Sequence, residues 1–206
     1  MKISWNSSED ISGLFVVYDE LVGKEPVEWN YLLHTVELPM EVAEEKDGLR
    51  ILGKNKADGV SIAHLFSSQK MTYAQTDTFF VAAVDWKKRL GKTLSNHYHF
   101  SATTDFAARS CRCCKICFLN VIDVHGNNRV DAVINRERNR ITVEEWVIEC
   151  NLEGEGNAFL YIENKQNGVS LDFNYDSNKG ATTIIDRVDG KKVEKRLVDA
   201  LPELEI

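Results

Sequence analysis

The residues of this chain whose types and spacing best suit chemistry are sulfur and imidazole groups, in Cys111-Arg-Cys-Cys-Lys-Ile-Cys117 and, upstream of it, His97-Tyr-His99. Cys114 and Cys117 are spaced to hold a metal through a tight turn, and two histidines two apart on a strand share one face. His97, His99, Cys114 and Cys117 therefore form a candidate tetrahedral zinc set. Three features weigh against it. There is one CxxC where zinc sites usually pair two, it is followed directly by apolar Phe118 and Leu119, and no Gly or Pro shapes a knuckle. Cysteines acting as small buried hydrophobes are the plainer reading. A thioredoxin-type redox role would need a βαβ context that the flanking pattern lacks. The chain is thus expected to need no cofactor, with zinc on the His97/His99 and Cys111–Cys117 cluster as the exception.

Other catalytic patterns are fragmentary. Asp131 and Glu163-Asn-Lys165 could be read as a magnesium nuclease set, carboxylates for the ion and a lysine for the attacking water. Acid-x-Lys arises by chance in most chains of this length, and an antiparallel context does not suit it. No Gly-x-Ser-x-Gly elbow, phosphate-cradling glycine loop or His-Glu-x-x-His helix is present, and His34, His64 and His125 are isolated in sequence. The balance points away from an enzyme.

Charge is the stronger lead. The 206 residues carry a net charge of −7. Between Glu9 and Asp47 lie 11 acids against only Lys24 and Lys46, so that segment alone stands at −9 and the remainder is near neutral. Such a surface repels phosphate backbones, which excludes nucleic acid as a direct partner, and it steers basic proteins toward itself at a raised association rate. The short basic knot Asn135–Arg140 has no interleaved aromatics and reads as a polar turn. The expected function is a non-catalytic, protein-binding inhibitor, immunity- or antitoxin-like, that captures a basic toxic enzyme. Glu37, Glu41, Glu44, Glu45 and Asp47 are its expected contact residues. Two alternatives stand beside it: a zinc-binding protein or enzyme on the His–Cys cluster, and a β domain that binds a small ligand or a sugar through a Trp or Tyr on a wet sheet face.

The elements that must position these residues are mostly strands. In the second half, turn signals recur at His125–Asn128, Asn135–Arg140, Leu152–Asn157, Lys165–Gly168, Asp176–Gly180 and Asp189-Gly190, the rhythm of an antiparallel meander. Phe118–Val124, Arg129–Ile134, Ile141–Cys150, Ala158–Glu163, Val169–Asp176 and Thr182–Val188 are its expected strands. Val169, Leu171, Phe173 and Tyr175 alternate strictly with polar residues, and Asn167-Gly168 supplies a tight hairpin turn. Val193, Leu197 and Leu201 at intervals of four, ended by Pro202, suggest a short C-terminal helix.

The first half offers strands at Gly13–Tyr18, Trp29–Leu38, Leu49–Leu52 and Val60–Phe66 and a short acidic helix over Glu41–Lys46. Thr78–Leu90 fits helix and strand equally. The fold class expected is α+β, mainly antiparallel β, with few helices in the N-terminal half, a C-terminal meander and a C-terminal helix. The chain reads as a single domain over 1–206, with its weakest joint near 95–105. Apolar runs are too short to span a bilayer, so no membrane contact is expected, and an N-terminus without a secretory apolar region, together with clustered cysteines, suggests a reducing, cytoplasmic setting.

Overall fold

The computed structural model describes residues 2–3, 13–23, 28–36, 38–55, 59–76, 97–104, 115–126, 132–154, 156–176, 181–188 and 191–198. These residues are mostly antiparallel β-strand, arranged in three sheets, and none of them is helical. The chain, read from sequence as one domain, falls into two compact units, Met1–Asp131 and Ala132–Ile206. Within the stretch 95–105, His97–Thr104 is a strand of the first unit.

Among the described residues the first unit contains nine strands: β1 (Lys2–Ile3), β2 (Gly13–Val22), β3 (Asn30–Val36), β4 (Glu41–Glu45), β5 (Gly48–Lys54), β6 (Gly59–Ser67), β7 (Met71–Thr76), β8 (His97–Thr104) and β9 (Lys115–Gly126). Six form a sheet in the order β1-β2-β9-β6-β5-β4, and three form a second sheet in the order β3-β8-β7. The two sheets pack face to face. Leu49, Ile51, Ala63, Leu65, Ile116 and Phe118 of the larger sheet meet Phe100 and Ala102 of the smaller one, and the Tyr31 ring lies 5.4 Å from that of Phe118. A fully buried phenylalanine such as Phe118 contributes on the order of 2–3 kcal/mol through the apolar area it removes from water.

Strands β6 and β9 are buried on both faces, since Ile62, Leu119 and Val121, which point away from the smaller sheet, are also shielded from solvent. That is why Ile116–Val121 reads as a nearly unbroken apolar run rather than an alternation. It also explains why Phe118–Val124, expected to open the C-terminal meander, is the centre of the first unit's sheet: β9 pairs with β2 on one side and β6 on the other.

The segment 41–46, expected as a short helix, is instead strand β4 and the start of its turn. Val42 and Ala43 sit opposite Ile51 and Arg50 of β5, and pairing along the strand outweighs the modest helix propensity of three glutamates. Gly48 closes this hairpin against β6. A Cβ there would lie 2.4 Å from the Leu65 carbonyl oxygen, so only glycine fits without a backbone shift.

The described residues of the second unit form one seven-stranded sheet whose order follows the sequence: β10 (Ile134–Glu137), β11 (Arg140–Val143), β12 (Trp146–Cys150), β13 (Phe159–Asn164), β14 (Ser170–Asp176), β15 (Ala181–Val188) and β16 (Lys191–Val198). Ile141–Cys150, expected as one strand, is two. Glu144, at φ 51°, turns the chain between β11 and β12, and Arg138, at φ 53°, turns it between β10 and β11.

The expected pairing of Ala158–Glu163 with Val169–Asp176 is present, with Glu163 opposite Ser170 and Phe159 opposite Asn174. Its turn is not the two-residue Asn-Gly form. Instead the Asn164 side-chain oxygen accepts the backbone N–H groups of Gln166 and Asn167, at 2.9 and 3.2 Å, and Gly168 completes the loop at φ 72°.

Of the C-terminal helix expected from Val193, Leu197 and Leu201, residues 191–198 are instead strand β16, paired with β15 from Val188↔Lys191 to Ala181↔Val198, and Leu201 lies outside the described residues. A spacing of four is even, so it satisfies the strand period of two as readily as the helix period of 3.6. Arg129, Val130 and Asp131, along with Thr78–Leu90, lie outside the described residues.

Candidate functional site

Glu41, Glu44, Glu45 and Asp47 lie together on the β4–β5 hairpin, at the edge of the six-stranded sheet, and all four are exposed. Glu37 lies outside the described residues. Val42 turns into the core and anchors the strand, while the acids around it face solvent. Glu41 Oε1 is 3.3 Å from Lys54 Nζ in a solvent-facing pair worth at most about 1 kcal/mol. Glu45 Oε2 reaches His64 Nδ1 at 3.2 Å.

Through Glu45 the acidic edge leads into a row of buried polar groups that cross the sheet on the face turned away from the three-stranded sheet. Arg50 sits opposite His64, and Asp123 and His125 follow on β9. Burial holds the His64 imidazole below its ordinary range, with Glu45 pulling the other way. His64 is thus neutral at neutral pH. His125 Nδ1 donates to the Gly126 carbonyl oxygen at 2.7 Å, which turns Nε2 toward Asp123 Oδ2 at 3.6 Å. Both of those side chains are almost completely buried. Nothing in the pattern of single strands signals this row, because its members come from four strands and meet only through register.

Farther along the same face lies Cys117. The Tyr18 hydroxyl donates to its Sγ at 3.5 Å, and Lys115 Nζ holds Glu20 Oε2 at 2.6 Å beside it. Burial raises the Cys117 pKa, which favours the protonated thiol.

His99 lies elsewhere. Tyr98 and Phe100 turn toward the larger sheet, so His99 projects from the opposite, outward side of β8. Cys117 projects from the far side of the six-stranded sheet, beyond Ile116 and Phe118, which face the core. Both packed sheets therefore separate His99 from Cys117, so these two members of the expected set His97, His99, Cys114 and Cys117 do not meet, and the His97 side chain lies outside the described part of the structure. Cys111, Cys113 and Cys114 lie outside the described residues. Among the described residues, no group of three or more His, Cys, Asp or Glu side chains is placed to hold a metal ion.

His99 instead meets a residue that the sequence reading left isolated. His34 of β3 is its direct cross-strand partner, with ring centroids 4.5 Å apart and planes at 78°. Only the pairing of β3 with β8 could have revealed it.

The acid-x-Lys fragment of the second unit is self-satisfied. Glu163 Oε2 accepts hydrogen bonds from Lys165 Nζ and from the Tyr161 hydroxyl, the latter at 2.8 Å. These bonds, Lys165 first, hold the carboxyl below its usual range. The lysine neutralises the carboxylate rather than activating water, and Asp131 lies outside the described residues.

No protein-family model matches the chain, and no curated protein proved similar to it. Among the described residues no helix is long and apolar enough to cross a membrane.

Proposed function

We propose that this chain is a non-catalytic, protein-binding inhibitor of the immunity or antitoxin kind, working in the cytoplasm and engaging a basic enzyme through its acidic edge. The observation that carries the reading is the position of Glu41, Glu44, Glu45 and Asp47, all exposed on the hairpin that ends the six-stranded sheet. An edge strand offers main-chain donors and acceptors to a partner, and fixed negative charge around it speeds encounter with a positive surface. Anchoring by Val42 in the core and by the Glu45–His64 contact gives the acids a defined geometry before the partner arrives. Less side-chain freedom is then lost on association.

The test compares the wild-type chain with a variant carrying Glu41→Gln, Glu44→Gln, Glu45→Gln and Asp47→Asn. Cross-linking in the native host followed by mass spectrometry supplies the partner, and stopped-flow mixing then measures association over a range of ionic strength. The wild type should associate at a rate that falls steeply with salt, and the variant should associate slowly with a flat salt profile. Association indifferent to salt, or to the four substitutions, would refute the proposal.

A further inference from the structure

The three-stranded sheet ends on a strand whose main chain is open. Among the described residues β7 pairs with β8 alone and forms one margin of that sheet. The Thr104 N–H donates to the Trp29 carbonyl oxygen at 3.0 Å, so Thr104, Ala102 and Phe100 turn their main-chain groups toward β3, and by alternation Thr103, Ser101 and His99 turn theirs toward β7. Thr72, Ala74 and Thr76 are the register partners of those three. The N–H and C=O groups of Met71, Tyr73 and Gln75 therefore point off the edge, away from β8. Every residue from Thr72 to Thr76 is exposed, and none from Met71 to Thr76 is charged or a proline, the usual devices that keep an edge from pairing.

The side chains of this edge are held in place. Met71 packs against the core, and the Tyr73 ring lies on that of Phe100, centroids 6.1 Å apart and planes at 26°, while remaining 40% exposed. The Gln75 amide forms a two-bond clamp: Oε1 accepts the Met40 N–H at 2.8 Å and Nε2 donates to the Met40 carbonyl oxygen at 3.1 Å. Met40 leads directly into β4, so the clamp sets the open edge of β7 beside the strand that carries Glu41, Glu44 and Glu45.

We infer that β7 is a strand-addition site, where an extended, lysine- or arginine-bearing segment of the partner pairs with the main chain of Met71, Tyr73 and Gln75, an assignment that rests on the proposed reading of the chain as a binder of basic enzymes. Main-chain hydrogen bonds supply affinity without regard to sequence, so the charge beside the edge decides which strand is accepted. The acids of the β4–β5 hairpin favour a basic strand. An acidic segment is repelled, and so is a second copy of this chain, itself at −7. Tyr73, already stacked on Phe100, offers an aromatic anchor that loses little freedom on binding.

The experiment titrates the full chain with a synthetic peptide of alternating lysine and valine, and with the same peptide carrying glutamate in place of lysine, while amide exchange is followed residue by residue by NMR. The lysine peptide should slow exchange at Met71, Tyr73 and Gln75, by about ten-fold when it stands ten-fold above its dissociation constant. The glutamate peptide should not. Tyr73→Ala should weaken binding by about ten-fold. Tyr73→Pro, which removes an edge-facing N–H and no bond to β8, should weaken it at least as much, with circular dichroism verifying that both variants are folded. Protection confined to the 41–47 hairpin, equal binding of the two peptides, or protection of β7 that grows with protein concentration alone, the mark of a second copy, would each overturn the inference. Protection of β7 by the lysine peptide that ignores both salt and the four acid substitutions would leave strand addition standing and count against the acidic edge instead.

Discussion

The two units of this protein bury their strands by opposite means. In the second unit every strand from β10 to β16 pairs with its neighbour in sequence, so the sheet is a chain of hairpins. In the first unit the central pairing joins β2 to β9, with Tyr18 opposite Leu119, and a second sheet packs over one face. Deep burial occurs in both units but not along every strand. Ile116, Phe118 and Phe100 of the first unit are almost wholly inaccessible, as are Ile141, Ile148 and Ile162 of β11–β13, whereas Leu171 and Phe173 on β14 remain half-exposed. Local pairing makes a meander easy to form, while distant pairing and layering bury both faces of β6 and β9 in the first unit.

The largest expected effect probes that difference. Phe118→Ala removes a side chain shared by both sheets and should cost about 3–5 kcal/mol in urea unfolding. Phe173→Ala on half-buried β14 should cost less than half as much. Equal losses would erase the contrast.

Two turn residues come next. Gly48→Ala forces a Cβ against the Leu65 carbonyl and should cost about 1–3 kcal/mol. Asn164→Ala strips the acceptor for two backbone N–H groups from a buried position and should cost a similar amount, about 1–3 kcal/mol, mainly through the second unit. Hydrogen exchange read strand by strand would show whether each loss stays within its own unit.

The acid dependence of the first unit should be smaller. The folded pKa of His64 is depressed, so below the unfolded value of about 6.5 the unfolded chain binds the proton more readily. This contribution is therefore complete above about pH 6.5 and shrinks as the pH falls toward the folded pKa, below which it has no further slope. His64→Gln should flatten that part of the stability profile, measured by chemical denaturation at stepped pH. An unchanged slope would remove His64 from the account.

The smallest change in stability, within about 0.5 kcal/mol, is expected for Glu44→Gln on the exposed edge. Pulse-labelled hydrogen exchange during refolding sharpens the comparison kinetically: amides of the β13–β14 hairpin should gain protection before those joining β2 to β9.

Much of the second unit was readable from its residues. Alternation in Val169–Asp176 and the turn signals around it located β13, β14 and β15, because hairpins depend on local period and turn chemistry. Val193 and Leu197, expected in a helix, lie on strand β16, because spacings of four satisfy both periods. In the first unit the strands at Gly13–Tyr18, Trp29–Leu38, Leu49–Leu52 and Val60–Phe66 were legible as segments, but their partners were not. Phe118–Val124 was therefore assigned to the wrong sheet. The same blindness hid the row from Glu45 to His125 and the His34–His99 pair, whose members come from separate strands.

By itself the sequence determined that the chain would be mainly antiparallel β, where β13, β14 and β15 lie, and that negative charge would gather before residue 48. These properties follow from local alternation, turn residues and composition, which act over a few positions. Tertiary structure alone decided that β9 lies between β2 and β6, that the acids occupy an edge, that Cys117 and His99 face away from each other and that His34 meets His99. Each of these depends on register between distant strands, chosen by which apolar faces bury one another, and no single segment carries that information.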